Sequence, residues 1–182
     1  MTTLSRAICL FLFLFLSGCA HVISKDLRVK ANPALTLSQV RQDPEAYKGR
    51  WVVWGGEIIE TVSLREGATQ IEVYQRPLGW RGEPKGGAYS EGRFLVLSEK
   101  WLDPYPLRSG RRITVAGEIL GAKLKPLGEM DYRYPLVAGK QIHLWPEPIY
   151  LYDPYPYLFD PWWYYGPRWY WGFGFHYYHR RR

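Results

Sequence analysis

The chain has 182 residues, enough for one domain with a hydrophobic core plus appendages, since domains of ~100–150 residues are the commonest size. Its formal charge of +7 is mild, and two cysteines are too few for a disulfide-built scaffold. The absence of a Gly-x-Ser-x-Gly, a His-Glu-x-x-His or a phosphate-cradling glycine loop argues against hydrolytic and nucleotide chemistry.

At the N-terminus, Arg6 is the only charge ahead of an apolar run from Ala7 to Leu16. The run has the length of a signal-peptide hydrophobic region, short of the ~20 residues that cross a bilayer as an anchor. It ends in Leu16-Ser17-Gly18-Cys19, which resembles the lipobox of bacterial lipoproteins. The resemblance implies cleavage before Cys19, a diacylglycerol on its thiol and an acyl chain on its amine. The plainer reading is an ordinary export signal that happens to contain a cysteine. Against it, Cys9 lies in the discarded segment, so Cys19 would be the sole mature thiol, with no internal partner. Two acyl chains suffice for stable attachment, each buried CH₂ contributing about 0.8 kcal/mol. Ala20 follows where an aspartate would resemble an inner-membrane retention signal, which implies the outer membrane. Loss of Arg6 with the leader leaves a net charge of +6.

Residues 19–35 carry mixed charges, no periodicity and the breaker Asn32-Pro33, and read as a tether. Extended at ~3.3–3.6 Å per residue it would reach on the order of 50 Å, so the folded part need not touch lipid. From Thr36 the pattern turns helical, with Leu37, Val40 and Arg41 on one side; Asp43-Pro44 reads as a helix start and Gly49 as a stop. Strand signals follow over residues 50–60, 70–75 and 94–97. Residues 111–120 alternate most cleanly, with Ile113, Val115, Gly117 and Ile119 facing a core and Arg112, Thr114, Ala116 and Glu118 facing away. A last strand falls between Leu136 and Trp145, bulged near Gly139, while residues 79–91 and 101–110 read as Gly- and Pro-rich loops.

Residues 49–59 echo residues 110–120 without gaps. In both, a Gly-Arg pair precedes the strand and a glycine stands before Glu-Ile, as expected where a sheet coils sharply. The echo assigns Val52, Trp54, Ile58, Ile113, Val115 and Ile119 to the core. The fold class is mostly β: a small OB-like five-stranded barrel with one or two short helices and an irregular aromatic C-terminal tail, a two-sheet sandwich being the runner-up. The domain reading is leader 1–18, tether 19–35, barrel 36–149 and tail 150–182.

Pro44, Tyr47, Gly49, Trp54-Gly55-Gly56, Gly92-Arg93-Phe94, Leu102-Asp103-Pro104, Gly110-Arg111, Gly117, Tyr134-Pro135 and Leu144-Trp145 together resemble the Slp family of outer-membrane lipoproteins. With the lipobox, the match covers roughly two thirds of the chain in consistent order. It implies a lipid-anchored envelope protein and says more about location than mechanism.

Glu57 and Glu118 occupy equivalent echo positions, but alternation puts both on the face opposite the core, where a solvated glutamate is the simpler reading. His176 and His179 stand close without a carboxylate or thiolate partner, weak grounds for a metal. No cofactor is implied, and the chain does not read as an enzyme. Its tail concentrates Trp162, Trp163, Trp169 and Trp171 and ends in Arg180, Arg181 and Arg182. It is too aromatic for an ordinary disordered linker and too rich in Pro and Gly for a helix. Packing on the barrel, insertion at the membrane interface and stacking on a glycan or protein partner all fit. The favoured function is a non-enzymatic structural or interaction role in the envelope, tied by resemblance to stress or starvation. The alternative is a binding module for saccharide, with oligonucleotide disfavoured because an exported protein seldom meets it.

Overall fold

The computed structural model describes residues 21–147. Among them the order is α1 (Lys25–Lys30), α2 (Leu37–Gln42), β1 (Trp51–Ser63), a 3₁₀ turn (Arg65–Gly67), β2 (Thr69–Arg76), β3 (Arg93–Ser98), β4 (Arg112–Leu127) and β5 (Met130–Leu144). The strands close into a barrel in the order β1-β2-β3-β5-β4, with every neighbouring pair antiparallel except β3 and β5. This is the OB arrangement, and closure rules out the sandwich.

Alternation decides which side chains fill the barrel. Val52, Trp54, Ile58, Ile113, Val115 and Ile119 are all in the core, as the echo requires, with Ile71, Val73, Phe94, Val96 and Val137. Full burial of each such side chain contributes about 1.5–3 kcal/mol. Trp54 meets Phe94 edge to face, ring centroids 5.5 Å apart, and its indole N–H donates to the Leu35 carbonyl at 3.3 Å. Leu37 and Val40 enter the same core from α2, and Leu107 enters it from the β3–β4 connection. A full capping box starts α2: the Thr36 hydroxyl accepts from the Gln39 amide, and the Gln39 side chain accepts from the Thr36 amide. Asp43-Pro44 begins turns and not a second α-helix: the Asp43 carboxylate accepts the Ala46 amide as a helix cap would, but the amides of Tyr47, Lys48 and Arg50 donate three residues back, to Pro44, Glu45 and Tyr47.

The sequence echo is a local two-fold. Segments 49–59 and 110–120 pair with each other, with Trp54 opposite its own echo equivalent Val115. The Gly49 amide donates to the Ile119 carbonyl at 2.8 Å, and its equivalent, the Gly110 amide, donates to the Ile58 carbonyl at 2.9 Å. Register shifts fall after Ile58 in β1 and after Ile119 in β4, again equivalent positions, and each bends its strand. Gly56 and Gly117 show why a side chain cannot stand there: a Cβ would lie 1.9 Å from the Tyr74 carbonyl oxygen or 2.1 Å from that of Ala138. A third register shift, between Ala116 and Gly117 opposite Gln141 and Gly139, is the bulge expected near Gly139.

Two further expectations need correction. Strands β4 and β5 run far past the barrel as a hairpin arm, from Gly121 paired with Leu136 to a turn at Gly128, where φ is +63°. The strand signals at residues 111–120 and 136–145 stop short of it; the arm pairs on one side only along each strand, which is why Pro126 and Pro135 can stand in it. Nor are residues 21–35 a free tether. Ile23 and Leu35 are buried, α1 forms over residues 25–30, and the Asn32 amide donates to the Trp51 carbonyl at 2.9 Å. The strap also explains why Ala116, pointing away from the core, is buried and not solvated. Gln141, its partner in register, donates to the Val22 carbonyl and accepts the Ser24 amide, both at 3.0 Å.

Candidate functional site

In OB barrels the outer face of strands 2 and 3 is where oligonucleotides and oligosaccharides bind. Gln70, Glu72 and Tyr74 on β2 and Arg93, Leu95 and Leu97 on β3 alternate with the core residues and so face that way. Here the face is covered. Leu95 is fully buried outside the barrel core, and Gln70 and Glu72 are buried with it.

The cover is the β4–β5 arm. Lys123 lies opposite Tyr134 and Lys125 opposite Tyr132, so all four side chains share one face of the hairpin. Glu72 is the centre of their contacts. Its Oε1 accepts from the Arg93 guanidinium at 2.8 Å and from the Tyr134 hydroxyl at 3.3 Å, and its Oε2 lies 3.6 Å from the Lys125 ammonium. Lys123 donates to Gln70 at 3.4 Å, and the Lys125 ammonium also sits over the Tyr134 ring, 5.6 Å from its centroid. The hydrogen bond to Glu72 raises the Arg93 pKa above its ordinary value; burial first, then the Glu72 carboxylate, raises that of Tyr134. One turn further out, the Tyr132 hydroxyl accepts the Arg93 amide at 2.9 Å and the Arg41 guanidinium at 3.0 Å, which ties α2 to the arm. Gly92 leaves room for that hydroxyl: a Cβ would lie 2.2 Å from it, and φ is +126°. A carboxylate held by two cations and a phenol is well placed to fasten the arm and poorly placed to accept a substrate proton.

A cleft of about 390 Å³ opens between the strap and the barrel, lined in part by Arg28, Asn32, Leu35, Gln75, Arg76 and Glu91. Its polar groups are mostly engaged: Arg76 pairs with Glu57 at 2.9 Å, and the Glu91 carboxylate accepts the Ser38 amide at 2.9 Å. At the edge, His21 accepts the Ile23 amide on Nδ1, and burial, with Arg28 beside it, lowers its pKa.

Glu57 and Glu118 are not brought together; they lie at opposite ends of the β1–β4 ladder, with Glu57 in register with Arg112 and Glu118 with Trp51. Among the described residues no group of three or more His, Cys, Asp or Glu side chains is placed to hold a metal. Cys19, Trp162, Trp163, Trp169, Trp171, Arg180, Arg181 and Arg182, and the histidines 176 and 179, lie outside the described residues. The Glu72 cluster was not foreseen. Its only signal in the sequence is the period-two placement of Lys123, Lys125, Tyr132 and Tyr134, a pattern without the apolar residues that mark a buried strand.

The family model of the outer membrane lipoprotein Slp family matches residues 16–169, most of the chain. The protein belongs to the Slp family. An uncharacterized protein of Haemophilus influenzae is 33% identical over 92 residues, 50% of this chain and 49% of the relative, so the chain spans about half the length of that curated relative. A small single-stranded DNA-binding protein from Streptomyces coelicolor is similar in structure with a TM-score of 0.38 and 13% identity, over 53% of this chain and 94% of that one. Several residues that carry the Slp resemblance have architectural work in this chain. Gly56, Gly92 and Gly117 allow close approach, Tyr47 packs against the core, and the Trp145 indole donates to the Thr114 hydroxyl at 2.9 Å.

Proposed function

We propose that this Slp-family protein is exported, cut before Cys19 and held on the outer membrane by acyl chains on that residue. There it acts as a non-catalytic structural or interaction module of the envelope, in a setting tied by family resemblance to stress or starvation. The observation that carries this reading is the family match itself: it starts at Leu16, the first residue of Leu16-Ser17-Gly18-Cys19, and runs on through the barrel. The non-catalytic half is supported by Glu72, the buried carboxylate of the barrel surface, whose oxygens are taken up by Arg93, Lys125 and Tyr134.

The decisive experiment is mass spectrometry of the mature N-terminus with fractionation of cells. The wild type is expected to begin at an acylated Cys19 and to sediment with the outer membrane, and Cys19→Ser to lose both properties. A mature chain starting at another residue without acyl groups would sink the anchoring reading.

A saccharide-binding role is the second reading, favoured by the polar strap cleft and by Trp162, Trp163, Trp169 and Trp171 in the tail. Because the arm occupies the usual OB face, a glycan would have to use the cleft or the tail. A glycan array probed with the full chain tests it, and binding abolished by replacing those four tryptophans would assign the ligand to the tail.

A further inference from the structure

Resting on the reading of Cys19 as the acylated residue, we infer that the Trp80–Arg81 turn is a membrane-docking surface, seated in the headgroup layer of the bilayer that holds the anchor. The chain is fixed to the barrel much closer to Cys19 than a long tether would allow. The Val22 amide donates to the Arg81 carbonyl at 3.1 Å, and Gly82 lies so near His21 that a Cβ there would be 2.8 Å from the imidazole Cε1. Only Ala20 separates His21 from Cys19. At no more than ~3.6 Å per residue, the Cα atoms of Cys19 and His21 stand within about 7 Å of each other. Acyl chains on Cys19 therefore bring this patch of the barrel to the membrane surface.

The side chains at that patch suit a bilayer interface. Trp80 is 68% exposed, a large apolar ring left in water by the fold, and the Arg81 guanidinium stands 5.9 Å from its centroid. Tryptophan prefers the headgroup level, and arginine is drawn to anionic lipid. The backbone presents the pair on a rigid support. The Gly79 amide donates to the Glu83 carbonyl at 2.7 Å, the Arg81 amide to the Glu83 carboxylate at 3.0 Å, and the Thr114 hydroxyl of β4 to the Gly82 carbonyl at 2.5 Å. A turn tied so closely to the barrel would orient the whole domain when it docks, leaving the arm directed elsewhere. Met130, at the arm tip and 64% exposed, is separated from Thr114 by most of the length of β4, at most about 40 Å along the strand at ~3.3 Å per residue.

The test uses the full-length lipoprotein purified from membranes and reconstituted in phosphatidylethanolamine/phosphatidylglycerol vesicles. Lys85→Cys, exposed on the same loop and leaving Trp80 in place, and Met130→Cys each offer one free thiol for an environment-sensitive fluorophore, once Cys9 has left with the leader and Cys19 is acylated. A lipid carrying a nitroxide near its headgroup is expected to quench the label at position 85 several-fold more than the label at 130, and Arg81→Glu to reduce that difference. Mass spectrometry of the same samples reports acylation. Acylated protein with equal quenching at both positions, or more at 130, overturns the docking surface and leaves the anchor intact. Protein without acyl groups overturns the anchor and the docking inference with it.

Discussion

The arm and the N-terminal strap lie on different outer faces of one barrel and are fastened by different physics. The arm, residues 121–136, is held through Glu72, Arg93, Lys125 and Tyr134, a charged cluster in which Glu72 keeps 8% of its side-chain surface in water. The strap, residues 21–35, is held by the buried Ile23 and Leu35 and by backbone and amide hydrogen bonds to Arg81, Gln141 and Trp51. A charge cluster has a single centre, and removing one partner leaves the others uncompensated. A row of neutral contacts yields piece by piece. The arm should therefore fail at one residue, whereas the strap should loosen locally.

The largest expected effect follows from that difference. Glu72→Ala strands Arg93 and Lys125 under the arm. Removing one partner from a buried pair costs 3–5 kcal/mol, and the loss here should be about 3 kcal/mol, since both cations retain some access to water. The urea midpoint of the domain checks it. A loss no larger than that of an ordinary surface substitution would mean that the cluster contributes nothing to the cover.

Ile23→Ala sharpens the contrast from the other side. It removes the buried anchor of the strap and should cost about 2 kcal/mol, the low end for an isoleucine, because the strap end can move to close the space. Hydrogen exchange separates the two regions: the Val22 and Asn32 amides should lose protection while those of the arm keep theirs. Equal loss in both would show that strap and arm unfold as one unit.

These two regions are also where the sequence was least legible. In residues 111–120 a strict alternation of Ile113, Val115 and Ile119 with Arg112 and Glu118 gives face and register at once, and the echo with residues 49–59 carries the barrel closure. The arm alternates just as regularly, but the face it turns to the barrel carries Lys123, Lys125, Tyr132 and Tyr134, of which only Tyr134 is fully buried, and a hydrophobic pattern assigns such a set to solvent. In the strap a single buried isoleucine, Ile23, has no periodic partner, and its docking depends on Arg81 and Gln141, distant in sequence. Burial achieved by charge pairing or by one isolated residue leaves no period to read. For the candidate site the same limit holds: Glu72 looks like a solvated residue on the outward face of β2 until the arm is laid over it.

The smallest expected effect tests whether the arm responds to alkaline pH. The Tyr134 hydroxyl donates to Glu72 at 3.3 Å, so Tyr134→Phe should cost about 1 kcal/mol at pH 8, the ordinary contribution of one hydrogen bond. Burial of the ring and the adjacent Glu72 carboxylate both penalise the phenolate, with Arg93 opposing them, and the folded-state pKa is raised above the ordinary 10.0. A raised folded pKa means that the stabilisation is fully present below pH ~10 and is lost as pH rises through the folded value, because the unfolded chain gives up its proton first. The wild type should therefore lose stability above pH 10 more steeply than Tyr134→Phe, and the gap between their urea midpoints should shrink from pH 8 to pH 11. Residues 21–35 contain no tyrosine, so the strap adds no such dependence of its own. A gap that stays constant over this range would show that the phenol of Tyr134 ionises as freely in the folded arm as in the unfolded chain.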